Sequence, residues 1–522
     1  MKAALIFLII FTTTAIYVEA RSAKEHEHHN VLGHDRPEGG INNIRTYEDA
    51  SYWNSNMQKD LRDQLNKSPI IKQAKNIIFF LGDGTSISTL TAARILKGQS
   101  TGNYEEEVMA YENFPYSTLI KTYSLDKQVT DSAASATAYL TGVKGFQRTI
   151  GVDSNVPRYN CTQMLNPEYH SHSILKNFQD AGRSTGVVTV TRVTHASPAG
   201  NYAHTANRDW ENDADMNDEG YDSDACDDVA EQLVLGDTGS KIKVIMGGGR
   251  EKFEPKDLVD PEGHHGDRDD GKNLIDTWRT EKEALGNTEY IWHRDELLNL
   301  DTSNTEYLMG LFDDDHMSWE IEGDESNPSL AEMTKAAIEV LSNDDNGYYL
   351  FVEGGNIDRA HHQNEAHAAM LEALAFEEAI ALADSMTSVE DTLIIVTADH
   401  SHSFVINGYA DRGTDILGIG DQSDIDGLPF TTLLYANGPG YSKKNNNGQR
   451  PDPTPVYNNP HYKYDSAVPM DSAHHAGEDV ILYARGPHAH LFTGIHENAY
   501  IPHALRYAAC VGDGLQFCDA NK

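Results

Sequence analysis

A serine directly after an aspartate opens the stretch of the chain with the clearest potential for chemistry. Asp131 precedes Ser132, and a run of small, helix-favouring residues continues to Tyr139. An aspartate at this position can cap a helix N-terminus, where free N–H groups and the helix dipole attract an anion. The pattern predicts that Ser132 lies in the first helical turn, where its hydroxyl can attack a bound phosphate. The alternative is a small-residue helix packed against a neighbour, with no role for the serine.

Residue types that bind metals recur later in the chain at spacings that favour coordination. Asp358 and His362 are four residues apart, so a helix presents both on one face. Asp399 and His400 are adjacent after an apolar run, and His475 lies near the last predicted strand. Mixed carboxylate and imidazole ligands of this kind suit zinc in a tetrahedral site. A surface pair or a helix cap is the structural alternative.

Oxygen donors form another candidate group. Asp83, Ser197 and Glu353 offer only oxygen atoms, and such ligands suit magnesium. Asp83 stands between two glycines, so a simple turn residue is its structural alternative. Three further histidines are interpreted as supporting or surface residues: His361, His402 and His474.

Apolar runs typical of buried parallel strands come shortly before most of these residues. The runs cover 76–81, 184–190, 243–246, 348–352 and 392–396. Helical patterns, such as those over 329–342 and 364–385, separate the runs. Strands that alternate with helices predict an α/β fold with a large central, mostly parallel sheet and helices on both faces. Ligands bind at the carboxyl ends of such strands, so we expect the candidate residues to converge on one rim.

Composition limits the class of partner. The 522 residues include 41 Lys+Arg and 81 Asp+Glu, so the formal charge is −40. This acidity argues against a nucleic-acid partner and requires local cations at any phosphate site. Residues 1–20 have the positive start, apolar core and small-residue end of a secretory signal peptide. No later run suits a membrane span or a lipid-anchor signal, so we expect a secreted, extracellular, soluble protein without a membrane anchor.

Local patterns predict the remaining organisation. Apolar residues at helical spacing predict a helix over 47–68, which either packs on its own domain or forms an arm on a partner subunit. Asn66 and Asn160 begin glycosylation sequons. The other predicted units are a flexible His-containing leader (21–46), a catalytic α/β domain (69–403 and 474–518), a Gly- and Asn-rich inserted crown-like subdomain (404–473) and a C-terminal tail (519–522).

Four cysteines, an even number in a secreted chain, predict a pair of disulfides. Three pairings are formally open. Cys510 and Cys518 are close enough in sequence to pair locally, which leaves Cys161 with Cys226.

Several motifs in this order resemble alkaline phosphatases of the animal type, and the similarity runs from about residue 47 to residue 518. The motifs are LGDG (81–84), DSAASATA (131–138), HASPAG (195–200), VEGGNID (352–358), TADHSH (397–402) and HAGEDV (475–480). The resemblance implies a homodimer that hydrolyses phosphate monoesters of broad structure to inorganic phosphate. It also implies a covalent phosphoserine at Ser132, a residue activated by zinc.

The resemblance further implies two zinc ions and one magnesium ion in each subunit. The implied ligands of the first zinc ion are Asp358, His362 and His475. Those of the second are Asp83, Ser132, Asp399 and His400. Those of magnesium are Asp83, Ser197 and Glu353, with His195 behind them. Arg208 matches the arginine that clamps phosphate, and the implied disulfides are Cys161–Cys226 and Cys510–Cys518.

Two places depart from the familiar pattern. Arg359 stands where vertebrate relatives have a histidine, and its permanent charge could reach the phosphate through water. Animal relatives also have a peripheral calcium site. Its implied ligands in this chain are Glu262, the Phe312 carbonyl, Asp313 and Asn327. Because aspartate and asparagine replace a glutamate and an aspartate, we expect calcium binding that is weakened but retained.

Other classes of protein fit parts of the pattern. A sulfatase needs a Cys/Ser-x-Pro-x-Arg segment, and none surrounds Ser132 or any cysteine. A phosphodiesterase on the same sheet stays open, and relative rates on monoesters and diesters would distinguish it. A catalytically silent binding protein would usually have lost a ligand or the nucleophile, whereas this chain has them all.

Overall fold

The apolar runs noted in the sequence form the middle of one ten-stranded sheet. The computed structural model describes residues 48–260, 262–442 and 448–518, so the predicted signal peptide, leader and tail lie outside the described residues. The strands of this sheet are β1 Asn76–Gly82, β2 Tyr116–Lys121, β3 Ser184–Arg192, β4 Val244–Gly248, β5 Thr288–Ile291, β6 Tyr307–Leu311, β7 Tyr348–Gly354, β8 Thr392–Thr397, β16 Val480–Arg485 and β17 Ile495–Glu497.

The sheet is mixed but mostly parallel, which confirms the predicted fold class. Its strand order is β17-β2-β16-β8-β1-β7-β3-β4-β6-β5. β16 pairs antiparallel with β2 and β8, whereas the other pairings in this sheet are parallel. Side chains of β1 alternate between two apolar clusters: Phe79 belongs to one, and Phe80 belongs to the other. The sheet is therefore covered on both faces, as its continuous apolar runs indicate.

Helices provide the two apolar layers. α3, α5 and α14 contribute to the cluster that contains Phe79, and α2, α11 and α13 contribute to the cluster that contains Phe80. The helices are α1 Ala50–Leu65, α2 Ile87–Thr101, α3 Ser132–Thr141, α4 Cys161–Met164, α5 Ile174–Asp180, α6 Ala196–Ala199, α7 Asp213–Asp218, α8 Val229–Leu235, α9 Leu274–Glu283, α10 Arg294–Leu298, α11 Leu330–Leu341, α12 Asn356–His362, α13 Ala366–Met386, α14 Tyr500–Ala509 and α15 Leu515–Cys518.

Strand register brings distant parts of the chain to one edge. Leu81 of β1 pairs with Glu353 of β7 and with Thr397 of β8. Because these strands are parallel, their carboxyl ends finish at the same edge of the sheet. Asp83, Glu353 and Asp399 therefore lie together on the rim where ligands bind in α/β folds.

The Gly- and Asn-rich insertion has small sheets of its own. β10, β13 and β14 form one sheet, and β11 and β12 form another. Outside the insertion, β15 pairs antiparallel with β9 and places His475 opposite His402. These strands are β9 Ser401–His402, β10 Phe404–Ile406, β11 Ile419–Gln422, β12 Pro429–Thr431, β13 Leu433–Gly438, β14 Ser466–Pro469 and β15 His475–Ala476.

The first helix leaves its apolar side chains exposed. α1 has no buried residue, and its apolar side chains Trp53, Met57, Leu61 and Leu65 are 41–75% exposed. The helix contacts the rest of the chain through Tyr52, whose hydroxyl donates to Oε2 of Glu106 at 2.9 Å, and the arm on a partner subunit stays a prediction. No helix within the described ranges combines the length and apolarity needed to cross a bilayer.

Both predicted disulfides are present, Cys161–Cys226 and Cys510–Cys518. The two glycosylation sequons differ in their surroundings. Asn66 is exposed just after α1, whereas Asn160 is half-buried, caps α4 and donates from Nδ2 to Oε1 of Gln163 at 2.9 Å. Asn66 is accordingly the more accessible acceptor for a glycan.

Candidate active site

Ser132 is the first residue of α3, as its sequence pattern indicates. Oδ1 of Asp131 accepts a hydrogen bond from the N–H of Ala134 at 3.2 Å and caps the helix. Ser132 is almost fully buried, and its Oγ lies 3.2 Å from Nε2 of His400. The hydroxyl thus lies at the rim of the sheet and at a helix N-terminus, a position where anions bind favourably.

Asp83, Asp399 and His400 form the cluster nearest to Ser132. Their ligand atoms all lie within 4.8 Å of one another. His400 Nε2 is 3.1 Å from Oδ2 of Asp399 and 3.5 Å from Oδ1 of Asp83. The backbone N–H of Gly84 holds Oδ1 of Asp399 at 3.0 Å. The residues implied for the second zinc ion therefore converge on one point.

The residues implied for the first zinc ion also meet. His362 Nε2 is 3.1 Å from Oδ2 of Asp358 and 3.2 Å from Nε2 of His475. The Nδ1 atoms of the two histidines contact the carbonyls of Ala473 and Thr130. These backbone contacts fix the tautomers and leave both Nε2 atoms directed at the Asp358 carboxylate, the usual arrangement of histidines that could ligate a metal.

The third group contains the oxygen donors. Ligand atoms of Asp83, His195 and Glu353 lie within 4.8 Å of one another. Oε2 of Glu353 accepts a hydrogen bond from the Thr189 hydroxyl at 2.5 Å. Ser197 lies beside Glu353 and is fully buried in α6. Asp83 belongs to this group and to the group around His400, which is the position expected of a bridging ligand.

Unpartnered polar atoms show that these residues fit cations. Both carboxylate oxygens of Asp83, Oε1 of Glu353 and Oγ of Ser197 are buried without a hydrogen-bond partner among the described residues. Such atoms are rare and costly unless an ion or water contacts them. Burial and the Asp399 carboxylate raise the pKa of Asp83 above its ordinary value. Burial also raises the pKa of Glu353 to about 7 and that of Asp399 to about 6, which indicates uncompensated negative charge.

Arg208 lies between the serine and the third group. Its Nη2 is 2.9 Å from Nε2 of His195, and its Nη1 is 3.4 Å from Oδ2 of Asp131. Asp131 also caps the helix of Ser132, so one carboxylate orients both the helix end and the guanidinium. A planar guanidinium in this position matches two oxygens of a phosphoryl group.

Arg359 has contacts that the sequence did not indicate. Its Nη1 donates to Oδ1 of Asn356 at 2.8 Å, and the guanidinium lies 5.8 Å from the centre of the Trp319 ring. Burial lowers its pKa from the usual arginine value. These contacts hold Arg359 against its own helix and a neighbouring loop, and its water-mediated contact with phosphate stays a prediction.

Two histidines interpreted as supporting or surface residues are fully buried, so the surface alternative is wrong for them. His402 Nε2 contacts Oδ1 of Asp358 and lies in one group with it and His400. The sequence contained a local signal for this position, because His402 stands two residues after His400 in the TADHSH motif. His361 is also buried, whereas His474 is exposed as its surface alternative predicts.

The implied peripheral calcium ligands are only partly brought together. Nδ2 of Asn327 lies 3.1 Å from Oδ2 of Asp313, directly after Phe312, and Oδ1 of Asn327 is buried without a partner among the described residues. Glu262 instead forms an ion pair with Arg250. Glu262, one of the implied calcium ligands, is therefore already paired with the guanidinium of Arg250.

Comparison with known proteins identifies relatives along almost the whole chain. The family model described as alkaline phosphatase matches residues 74–511. The chain is 44% identical to the membrane-bound alkaline phosphatase of Bombyx mori over 90% of this chain and 87% of that protein. It is 45% identical to the human tissue-nonspecific isozyme of alkaline phosphatase over 90% of each chain.

A solved structure has the same fold. The alkaline phosphatase of Thermus thermophilus gives a TM-score of 0.61 at 22% identity and covers 88% of this chain and 98% of that chain. At this identity the likeness supports the fold alone. The family assignment rests on the animal relatives and on the family model, both of which span the three clusters and Ser132. The chain therefore belongs to the alkaline phosphatase family and is a phosphomonoesterase.

Proposed function

We propose that the chain hydrolyses phosphate monoesters of broad structure through a covalent phosphoserine at Ser132. The observation that carries this proposal is the position of Ser132 Oγ, which begins α3 only 3.2 Å from His400 Nε2. A hydroxyl at a helix N-terminus, beside clustered carboxylates and imidazoles, is placed to attack a bound phosphoryl group.

The same proposal includes two zinc ions and one magnesium ion. Asp358, His362 and His475 would hold the first zinc ion, and Asp83, Asp399 and His400 would hold the second together with Ser132. Asp83, Ser197 and Glu353 would hold magnesium, with His195 behind them. When bound, these cations lower the pKa of the serine hydroxyl and stabilise negative charge at the reacting oxygen atoms.

In the proposed reaction Ser132 Oγ attacks phosphorus and releases its proton to solvent. The new Oγ–P bond forms as the bond between phosphorus and the ester oxygen breaks, and the alcohol leaves with a proton from solvent. Water then attacks the phosphoserine, which restores the Ser132 hydroxyl and releases inorganic phosphate. Arg208 binds two equatorial oxygens of the phosphoryl group in both steps. Because these contacts address the phosphoryl group and not the alcohol, we expect broad substrate specificity.

Trapping the intermediate tests this proposal. Radiolabelled phosphate incubated with the metal-loaded enzyme at acidic pH should label one serine, because slow hydrolysis lets the phosphoserine accumulate. Peptide mapping should find the label on Ser132. A label on another residue contradicts the assignment to Ser132, and no label while the enzyme turns over contradicts the covalent mechanism.

We also propose a secreted, glycosylated homodimer. The leader-like residues 1–20 and the disulfides support secretion, and the exposed apolar side chains of α1 support a partner surface. Light scattering on active protein recovered from the soluble culture medium should give the mass of two glycosylated chains. Activity that sediments with membranes until a phosphatidylinositol-specific lipase releases it contradicts the location, and a single-chain mass contradicts the dimer.

A weakened peripheral calcium site completes the proposal. Asn327 contributes no negative charge, and Glu262 is already paired with Arg250, so calcium must compete for its ligands. Asn327→Asp should tighten calcium binding by roughly one decade, because affinity follows the charge of the ligands. Calorimetric titration of enzyme with intact active-site metals measures this change, and Asn327→Ala, which should weaken binding, is the matched control. The account is wrong if Asn327→Asp leaves the affinity unchanged or if the peripheral ion is essential for turnover.

A further inference from the structure

A buried histidine outside the metal clusters lies behind the phosphate-binding arginine. His316 follows β6, and its ring is nearly perpendicular to the ring of His195, with 5.3 Å between their centres. His195 Nε2 in turn lies 2.9 Å from Nη2 of Arg208. The three side chains form a series of direct contacts that ends on the guanidinium.

The loop that contains His316 is fixed from several sides. Nδ1 of His316 accepts a hydrogen bond from the backbone N–H of Arg192 at 3.3 Å. The N–H of Met317 donates to a backbone carbonyl of β3 at 3.1 Å. Asp315 forms an ion pair with the Arg192 guanidinium. A Cβ atom at Gly248 would lie only 2.2 Å from the carbonyl oxygen of Asp315, so the loop packs directly on the end of β4.

Hydrogen-bond partners define the charge of the two rings. Because Arg192 donates to Nδ1 of His316, the proton of the neutral ring is on Nε2. Burial and the Arg192 cation hold the pKa of His316 below its usual value. His195 accepts from Arg208 at Nε2 and therefore holds its proton on Nδ1. Neutral rings do not repel Arg208. The rings of His195 and His316 therefore contact each other through packing alone.

We propose that His316 is a positioning residue for Arg208 and acts by packing against His195. The inference rests on the proposed role of Arg208 as the phosphate ligand. Without the His316 ring, His195 has room to rotate, and Arg208 keeps only the more distant Asp131 carboxylate at 3.4 Å. A guanidinium that samples more conformations binds phosphate less tightly, since binding must then order it.

Two substitutions distinguish the effect of the His316 ring from the effect of its hydrogen bond with the Arg192 N–H. His316→Phe keeps a ring against His195 but has no acceptor for the Arg192 N–H. His316→Asn keeps an acceptor near that N–H but has no ring. The inhibition constant of inorganic phosphate, measured with the metal-loaded enzyme, should rise about threefold to tenfold in His316→Asn, the range for coupled neighbours. It should stay within about twofold of the wild type in His316→Phe. If the inhibition constant rises more in His316→Phe than in His316→Asn, the hydrogen bond from the Arg192 N–H matters and the ring does not. That result would overturn the inference.

A double-mutant cycle distinguishes this inference from the role of Arg208 itself. Arg208→Ala should raise the phosphate inhibition constant strongly, and an unchanged constant would overturn the proposed role of Arg208. In the Arg208→Ala background, His316→Asn should add nothing further, because its effect passes through the guanidinium. An additive effect, or a loss of metal content in His316→Asn, would overturn the inference while leaving the phosphoserine mechanism intact.

Discussion

Replacing Ser132 with alanine should lower kcat by roughly three to five orders of magnitude while zinc and magnesium stay bound. The hydroxyl is the proposed nucleophile at the N-terminus of α3, whereas the other ligand atoms around His400 come from different elements. Alanine therefore removes the attacking atom and leaves most of each cluster in place. The remaining rate should come from direct attack by water on a substrate that Arg208 still binds. Steady-state kinetics on a chromogenic monoester measures the loss.

Metal content decides how that result is interpreted. Ser132→Ala should keep nearly the wild-type content of zinc and magnesium, measured by atomic emission on dialysed protein. A variant with full metal content and a kcat within about tenfold of the wild type would exclude Ser132 as the nucleophile. A variant that has lost zinc would need zinc added back before its kcat is compared.

The rim of the sheet could be predicted from the sequence because two signals coincide there. Continuous apolar runs mark buried parallel strands, and Asp83, Glu353 and Asp399 each follow such a run at once or within three residues. Parallel strands of one sheet end at the same edge, so these carboxylates had to lie near one another. The helix that begins at Ser132 was equally clear, because its cap and its small residues are adjacent in the sequence.

Contacts that depend on tertiary packing could not be predicted. His316 follows three aspartates typical of a surface loop, and only the packing of that loop on β4 buries its ring against His195. Arg250 follows a glycine run, and nothing local indicates that it pairs with Glu262. The direction of Arg359 depends on Trp319, which lies on another element.

The proposed bridging role of Asp83 leads to the second large expected effect. Asp83 is within ligand distance both of the Asp399–His400 pair and of the His195–Glu353 pair. Asp83→Asn removes the charge that both groups share, so the enzyme should lose magnesium and about one of its two zinc ions. We expect kcat to fall by two or more orders of magnitude, since Ser132 loses the cation beside it. Glu353→Gln is the matched control and should lose magnesium alone, because Glu353 belongs only to the group of Asp83, His195 and Glu353.

The unfolding temperature of the metal-free protein provides an independent test of the Asp83 carboxylate. Asp83→Asn should raise this temperature, whereas it should lower the activity of the metal-loaded enzyme. Burial and the Asp399 carboxylate raise the pKa of Asp83, so the folded carboxyl keeps its proton above the pH at which the unfolded one loses it. The unfolded carboxyl titrates near pH 4, and the cost of folding this group therefore grows as the pH rises above about 4. Asparagine does not titrate and avoids that cost. After chelation, Asp83→Asn should unfold at a higher temperature than the wild type, and the gap should widen as the pH rises above about 4. A metal-free variant that is less stable than the wild type at pH 8 would show that the buried Asp83 carboxylate does not destabilise the fold. An Asp83→Asn enzyme that keeps magnesium would show that Asp83 does not bridge the two groups.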